Sequence, residues 1–281
     1  MTSAATSAEA SGRFITAGKA RVHLHELGEG SPVVLLHGAG PGATGWTNFE
    51  PNIGALSERH RVIVPDMPGW GQSDSARVAG DPVDTLLHLL DELGIERAAL
   101  VGNSMGGMTS LRFAVEYPDR VSHVVTMGAP CPGNNMFTPG GGLTEGLKVL
   151  RAGYENPSPE NIKRMVQIMC FDPALATDEL AKRRSAAAHE HPQHLEHYLE
   201  DQIVPGAREF HALGARISEI AAPVLAIHGR DDRVMPFEAS LRLVAGVPDS
   251  RLLLLNRCGH WAQIEHSAEF NRVVAQFIEN S

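Results

Sequence analysis

Residues 98–107 read AALVGNSMGG, and this segment gives the clearest indication of how the chain folds. The apolar run at 98–101 predicts a buried strand, and residues 106–116 have the apolar spacing of a helix. The motif G-x-S-x-G therefore lies at a turn from strand to helix. Glycines at such a turn let two backbones approach closely, and the serine oxygen projects above the sheet. This context predicts that Ser104 is a nucleophile.

Short apolar runs elsewhere in the chain extend the same pattern. After a predicted hairpin at 14–27, the runs that predict buried strands are 33–36, 62–64, 98–101, 124–127, 224–227 and 252–255. Helix-like segments such as 83–93 and 106–116 lie between them, as crossovers between parallel strands require. The sequence therefore predicts an α/β fold, with a mostly parallel sheet flanked by helices.

The alternation of strands and helices is interrupted between about residues 131 and 213. Prolines and glycines at 132–133 and 139–142 precede helical, charged segments, and the strand pattern resumes at Pro223. This predicts a helical cap that is inserted over the sheet. We expect a first core part at 13–132, the cap at 133–213 and a second core part at 214–281.

Composition and charge argue against several classes of protein. A net charge of -9 argues against a nucleic-acid partner, because neutralising phosphates requires a clustered basic surface. The first residues, MTSAATSAEASG, do not resemble a secretory signal, and no apolar run reaches the roughly 18 residues of a membrane span. Cys131, Cys170 and Cys258 are widely spaced without a CxxC pair, which fits a reducing compartment. We therefore expect a cytoplasmic protein without a membrane partner.

A nucleophilic serine needs a base and a group that orients the base. After a strand-to-helix serine turn these follow in the order Asp, then His. Asp232 and His260 each come directly after a predicted strand, at the edge of the sheet where Ser104 lies. The competing residues are Asp231 for the carboxylate, and His228 and His266 for the imidazole.

The glycine-rich loop at 37–42, HGAGPG, predicts the second half of an oxyanion site. Its candidate donor is the backbone N–H of Ala39, paired with that of Met105. Residues 38–43 also match the dinucleotide-binding pattern G-x-G-x-x-A. We reject that interpretation, because Pro41 is ill suited to a helix start on a pyrophosphate and the Ser, Asp and His placements would remain unexplained. No cofactor is therefore expected.

Five motifs together resemble those of the meta-cleavage product hydrolases, a family of the α/β-hydrolase superfamily. They are HGAGPGATGWTN at 37–48, DMPGWGQSD at 66–74, GNSMGG at 102–107, GRDDRVMP at 229–236 and CGHWAQ at 258–263. The resemblance covers nearly the whole chain. It implies hydrolysis of 2-hydroxy-6-oxo-2,4-dienoates to 2-hydroxypenta-2,4-dienoate and a carboxylic acid. It also implies the triad Ser104, His260 and Asp232, no metal, and a possible dimer or tetramer.

The resemblance further implies how the substrate is bound. A guanidinium at Arg184 in the cap would pair with the substrate carboxylate, because it is a permanent and bidentate cation. Arg183 is the alternative. The side-chain amides would donate to the 2-oxo or 2-hydroxy oxygen. The implied set is Gly40, Asn48, Asn103, Arg184 and Trp261.

Some features leave the substrate and the activity open. The segment between Asp74 and Leu86 looks shorter than is usual in the family, and Val234 stands where some members carry an aromatic residue. The alternative functions are an esterase, lactonase or perhydrolase with the same triad, and a non-catalytic small-molecule receptor. We do not expect a metal at the four cap histidines, because no carboxylate or cysteine completes a site. These are His189, His191, His194 and His197.

Overall fold

A single eight-stranded sheet forms the centre of the computed structural model, which describes residues 12–133, 142–202 and 204–280. The strand order is β1-β2-β4-β3-β5-β6-β7-β8. Pairs β1–β2 and β2–β4 are antiparallel, and every other neighbouring pair is parallel. The strands are β1 Arg13–Ala17, β2 Ala20–Leu27, β3 Ser31–Leu36, β4 His60–Pro65, β5 Ala98–Asn103, β6 Val121–Met127, β7 Val224–Gly229 and β8 Ser250–Leu255.

Helices connect the strands and cover the sheet. The α-helices are α1 Gly45–Ser57, α2 Ala76–Ala79, α3 Pro82–Glu92, α4 Met105–Glu116, α5 Glu145–Glu155, α6 Pro159–Met169, α7 Asp178–Glu190, α8 Pro192–Asp201, α9 Ala207–Ala212, α10 Glu238–Gly246, α11 Ala262–Glu265 and α12 Ser267–Asn280. Short 3₁₀ helices lie at Pro118–Arg120, Pro173–Leu175 and Gly214–Glu219.

Both faces of the sheet are buried, as the continuous apolar runs of its strands require. Successive side chains of a strand point to opposite faces. In β3, Val34 and Leu36 therefore join a cluster with residues of α3, α4 and α10, whereas Val33 and Leu35 join a cluster with residues of α1 and α12. The predicted three-layer α/β arrangement is confirmed.

The predicted strands are all present, but the burial of one of them was predicted wrongly. The run at 252–255 lies in β8, which is an edge strand of the sheet, and Leu254 is one of the exposed large apolar residues. An apolar run does not distinguish an edge strand from a central one, because the edge strand differs only in having no partner strand on one side.

Five helices, α5 to α9, lie between β6 and β7 in the segment for which we predicted a cap. They have a small apolar cluster of their own, in which Leu150 and Met165 pack with Val234 and Trp261 from outside the segment. Residues 134–141 and 203 of this segment, which include most of the predicted loop at 139–142, lie outside the described residues, as does the N-terminal tail at 1–11.

None of the helices in the described part of the chain is both long enough and apolar enough to cross a membrane.

Two glycines allow α4 to approach the strands beneath it. A β-carbon on Gly102 would collide with the backbone of Gly106 and Gly107, and one on Gly106 would collide with the carbonyl group of Leu36 in β3. Backbone atoms of a central strand cannot move aside without disturbing the sheet. The first turn of α4 can therefore take this position only if both residues are glycine.

We expect Gly106→Ala to lower the free energy of unfolding by about 1–3 kcal/mol or more, because the added methyl overpacks a rigid backbone contact. The matched control is Gly54→Ala in α1, where a β-carbon meets nothing within 4 Å. That variant should be neutral or stabilised by up to about 1 kcal/mol, since alanine favours a helix. Chemical denaturation measures both, and equal stability of the two variants would contradict the expected collision.

Candidate active site

Ser104 lies at the turn between β5 and α4 in a strained backbone conformation. Its φ of 52° and ψ of -110° lie outside the regions that residues with a β-carbon usually adopt. The N–H of Ser104 donates to the carbonyl oxygen of Met127 at the end of β6, at 2.7 Å. Tertiary contacts thus keep Ser104 in this strained conformation. Backbone strain of this kind is common at functional positions.

Asp232 and His260 form a buried pair at the ends of β7 and β8. Nδ1 of His260 lies 2.7 Å from Oδ2 of Asp232, and the side chains are 3% and 0% exposed. The other oxygen, Oδ1, accepts the N–H groups of Val234 at 2.7 Å and Met235 at 2.9 Å. Burial alone would raise the pKa of Asp232, but the adjacent imidazoles outweigh it and hold the pKa well below its ordinary value. Asp232 is therefore a carboxylate that can orient the His260 ring.

Of the competing residues, His228 also contacts Asp232, whereas Asp231 and His266 lie toward solvent. Oδ2 of Asp231 accepts the N–H of Arg257 at 3.1 Å and lies on the solvent side of the same turn. His266 contacts the carbonyl oxygen of Arg257 at 3.2 Å and is partly exposed. Of the two adjacent carboxylates, Asp232 is the one in contact with His260.

Asn103 links Ser104 to the loop that carries His260. Its Nδ2 donates to the main-chain oxygens of Met127 at 3.2 Å and of His260 at 3.3 Å. Among the described residues, no hydrogen bond joins the side chains of Ser104 and His260 themselves. Catalytic hydrogen bonds of a free enzyme are often loose and tighten when substrate binds. Asn103, the residue before Ser104, thus holds the loop of His260 next to this turn.

The two candidate oxyanion donors lie on either side of Ser104. Met105 is the first residue of α4, where N–H groups have no acceptor within the helix. Gly38, beside Ala39, lies against Asn103 and Ser104, since a β-carbon on it would come within 3.2 Å of Cβ of Ser104. A loop at this distance can direct the Ala39 N–H at a group bound to Ser104.

His37 fixes the conformation of this loop. Its Nε2 accepts the N–H of Met67 at 2.8 Å, and its Nδ1 lies 2.8 Å from the carbonyl oxygen of Gly38. The ring is therefore neutral with its hydrogen on Nδ1, in agreement with burial, which lowers the pKa of His37. A base that already uses both nitrogens on the backbone cannot serve as the catalytic base.

Arg184 is a buried guanidinium that has no acidic partner among the residues that the structure describes. It lies on α7 with 4% exposure, its NH2 donates to the carbonyl oxygen of Pro41 at 3.2 Å, and its Nε makes no hydrogen bond. The guanidinium lies 5.3 Å from the ring of Trp261 and beside Gly40. Burial lowers the pKa of Arg184 to about 10, so the group is still cationic at neutral pH. It is therefore available to an anionic ligand.

The neighbouring Arg183 has a different environment. Its side chain is 45% exposed and lies 3.4 Å from the carboxylate of Glu50 on the surface of α1. Successive residues of a helix point about 100° apart, so only one of the two arginines can face the core. In this helix that residue is Arg184.

The two asparagines are part of a buried chain of amides. Nδ2 of Asn48 lies 3.5 Å from Oδ1 of Asn103, and Oδ1 of Asn48 accepts from Nε2 of Gln263 at 3.2 Å. The Asn103 amide already donates both of its hydrogens to main-chain oxygens, so in this structure it has none left for a ligand. Asn48, whose contact is long, retains a donor that can turn toward a ligand.

Our sequence analysis gave no role to two of the residues that surround the site, Gln263 and Tyr154, and it named His228 only as a competitor for the base. Gln263 lies within the quoted motif CGHWAQ and supports Asn48. Tyr154 is buried beside Gly40, where its hydroxyl accepts from Nε1 of Trp70 at 3.2 Å and its ring stacks on Tyr198. His228 contacts Asp232 at 3.2 Å. Only the position of Gln263 inside a motif could have pointed to a role.

A cavity of about 80 Å³ lies between the loop at 40–44, the turn at 70–72 and helices α7 and α8. His194 lines it beside the backbone of Gly71, and in the described part of the chain neither ring nitrogen of this buried residue makes a hydrogen bond of normal length and angle. Nδ1 of His189, in contrast, lies 2.7 Å from the carbonyl oxygen of Ser185. Among residues 12–133, 142–202 and 204–280, no cluster of histidine, cysteine or acidic residues could hold a metal ion.

Burial lowers the pKa of His194 to about 4, below the value near 6.5 of an unfolded chain. The unfolded state therefore takes up the proton first. The stability that depends on this group is complete above about pH 6.5 and is lost as the pH falls toward 4. We expect His194→Leu to reduce the loss of melting temperature between pH 7.5 and 5, relative to the unsubstituted protein.

The control for this experiment is His88→Leu on the exposed face of α3. Removing an exposed imidazole should leave the pH dependence of the melting temperature unchanged. Identical pH dependence in the His194 and His88 variants would show that His194 does not destabilise the fold at acid pH.

Comparisons with known proteins place this geometry among known enzymes. A family model described as the alpha/beta hydrolase fold matches residues 31–267. A 2-hydroxy-6-oxononadienedioate/2-hydroxy-6-oxononatrienedioate hydrolase from Burkholderia vietnamiensis is 45% identical, over 92% of this chain and 91% of that protein. A 2-hydroxy-6-oxo-6-phenylhexa-2,4-dienoate hydrolase from Burkholderia cepacia is 43% identical, over 92% of each chain.

A solved structure agrees with the sequence relatives. The meta-cleavage product hydrolase from Pseudomonas fluorescens IP01 superposes with a TM-score of 0.86 at 36% identity, and the match covers 95% of this chain and 97% of that one.

Proposed function

This chain belongs to the α/β-hydrolase family and, within it, to the meta-cleavage product hydrolases, and from this premise we propose its reaction and the residues that perform it. The reaction is hydrolysis of a carbon–carbon bond in a 2-hydroxy-6-oxo-2,4-dienoate, which gives 2-hydroxypenta-2,4-dienoate and a carboxylic acid. Ser104, His260 and Asp232 are the catalytic residues. The two core parts, 13–132 and 214–281, carry the triad, and the cap, 133–213, supplies Arg184.

The observation that carries this proposal is the unpaired cation beside the candidate triad. A buried charge without a partner is costly, and proteins usually neutralise it with a counter-ion. Arg184 has no carboxylate among the described residues, and it faces Gly40 and Trp261. A dienoate carboxylate would complete this environment. An esterase or lactonase acting on neutral substrates would leave the guanidinium unpaired.

The orientation of the substrate follows from this contact. With its carboxylate at Arg184, the 2-oxygen lies toward Asn48, and the acyl end extends toward Val234. Val234 is buried against the apolar cap residues Leu150 and Met165. The acyl group is therefore held by apolar contacts at that end.

Acid–base chemistry at His260 prepares the bond for cleavage. His260 transfers the proton of the 2-hydroxyl group to C5, so the dienol becomes a 2-oxo-3-enoate that can accept an electron pair. The Ser104 oxygen, or a water molecule that Ser104 and His260 activate, then attacks C6. The N–H groups of Ala39 and Met105 stabilise the resulting oxyanion.

The C5–C6 bond breaks when this intermediate collapses. Its electron pair passes into the enone and forms the dienolate of 2-hydroxypenta-2,4-dienoate, while C6 remains in the acyl group that becomes the carboxylic acid. Asp232 keeps the His260 ring oriented and stabilises the imidazolium that forms after each proton transfer. One molecule of water is consumed overall.

We expect Ser104→Ala to fold normally and to lose turnover by about 1000-fold or more, as serine hydrolases do when the nucleophile is removed. The assay follows the loss of visible absorbance of 2-hydroxy-6-oxo-6-phenylhexa-2,4-dienoate and of 2-hydroxy-6-oxononadienedioate. The control is Ser110→Ala, because Ser110 is a buried serine of the same helix whose hydroxyl bonds only the Gly106 carbonyl. Activity of Ser104→Ala close to that of the control would refute the assignment.

Arg184→Gln should reduce kcat/KM for these dienoates by about 10- to 100-fold, because it removes a charge-assisted bond to the carboxylate. Turnover of a neutral aryl ester such as p-nitrophenyl acetate should change little. Arg183→Gln is the matched control and should leave both activities intact. Equal effects of Arg184→Gln on the ester and the dienoate would argue against carboxylate binding, and faster wild-type turnover of the ester than of any dienoate would favour the esterase alternative.

A further inference from the structure

A single oxygen of Asp232 is in contact with two imidazoles. Oδ2 lies 2.7 Å from Nδ1 of His260 and 3.2 Å from Nε2 of His228. His228 is the penultimate residue of β7, and its side chain is completely buried. The second imidazole thus meets the carboxylate from the strand side, and the first meets it from the loop after β8.

The neighbours of His228 determine which of its nitrogens carries hydrogen. Nε2 lies 2.9 Å from the carbonyl oxygen of Met235 as well as 3.2 Å from the carboxylate, and both of these oxygens are acceptors. Nε2 must therefore carry a hydrogen. Nδ1 lies 2.7 Å from Oγ of Ser240 in α10, and the serine hydroxyl can donate to it. The ring is thus satisfied as a neutral imidazole that donates from Nε2.

We propose that His228 is a positioning residue that fixes the Asp232 carboxylate and keeps His260 a weaker base than an otherwise identical pair would make it. His228 thus has a role beside the triad, and the effect of this role on catalysis rests on the proposed function. His228 does not contact the substrate. It acts through Asp232.

The direction of the effect follows from the distribution of charge on the carboxylate. Each donor to Asp232 spreads its negative charge, and less of that charge remains to stabilise a protonated His260. Without the His228 N–H, the full charge of Oδ2 faces Nδ1 of His260, so the pKa of His260 rises. The enzyme would then need a higher pH to have its base unprotonated.

Other titratable groups face this pair but do not replace the contact. Asp231 lies on the turn after β7 and Glu265 is the last residue of α11, and both accept main-chain N–H groups. Arg233 donates to main-chain oxygens of α6 and of the residue after it. The further groups nearby are Cys170, Cys258 and Glu238. None of these bonds Oδ2 of Asp232 among the described residues, so their influence is the same with and without His228.

A purely structural role makes a different prediction. His228 also joins β7 to α10 through Ser240, and a side chain that only filled this space would affect stability and leave the base unchanged. The apparent pKa of His260 separates the two roles, because packing alone does not move it. This readout needs no substrate.

The experiment is an NMR titration of the His260 ring in full-length protein labelled at histidine, with the resonance assigned by its loss in His260→Gln. We expect His228→Leu to raise the pKa of His260 by about 0.5–1 unit, a fraction of the free energy of one charged hydrogen bond. His228→Gln, whose amide can donate from the position of Nε2, should restore the original value. His266→Leu removes a nearby imidazole that does not touch Asp232 and should have no effect.

The acid limb of the pH profile of kcat/KM should move in the same direction as the titration. An unchanged His260 pKa in a folded His228→Leu variant would overturn the inference. If that variant does not fold, His228→Asn, whose shorter amide does not reach Oδ2, decides by the same criterion. If the wild-type protein fails to bleach any dienoate while His228→Leu still raises the pKa of His260 as expected, the proposed function is contradicted and this inference is supported.

Discussion

The site depends on the close approach of α4 to the strands beneath it. Gly102 and Gly106 bring the first turn of the helix against β5 and against the carbonyl of Leu36. The chain can reverse from strand to helix this abruptly only by giving Ser104 a positive φ of 52°. That conformation in turn directs the helix N–H groups and the serine hydroxyl toward the same space. One steric constraint therefore accounts for the position of Ser104, for the start of α4 at Met105 and for the backbone strain at Ser104.

The polar side chains around this turn form a supporting layer, and most of their hydrogen bonds are to main-chain groups. Asn103 donates its amide hydrogens to the carbonyls of Met127 and His260, and His37 bonds Met67 and Gly38. Such contacts fix the positions of these side chains. Their main-chain partners stay the same whichever side chain the partner residue carries. The charged groups, Asp232 and Arg184, are buried within this layer, where electrostatic interactions are strongest.

Local patterns predicted the fold well and pointed to the candidate residues of the site. Apolar runs located the six strands β3 to β8, and a separately predicted hairpin located β1 and β2. The order Ser, Asp, His pointed to residues at the ends of β5, β7 and β8. The partners of single polar side chains could not be predicted in this way. The contacts of His228 with Ser240 and of Gln263 with Asn48 depend on how distant segments pack. For the same reason the exposed edge of β8 was not foreseen.

The main-chain contact between His260 and the end of α6 has a mechanical consequence. The N–H of His260 donates to the carbonyl oxygen of Met169 at 2.6 Å, and Gly259 packs so tightly against Met169 and Cys170 that a side chain there would collide with them. The end of α6 is thereby anchored to the loop that holds the imidazole. A rigid rotation of helices α5 to α9 would carry the loop of His260 with it. This end of α6 is therefore a fixed point, and any motion of these helices over the sheet takes place in their other segments.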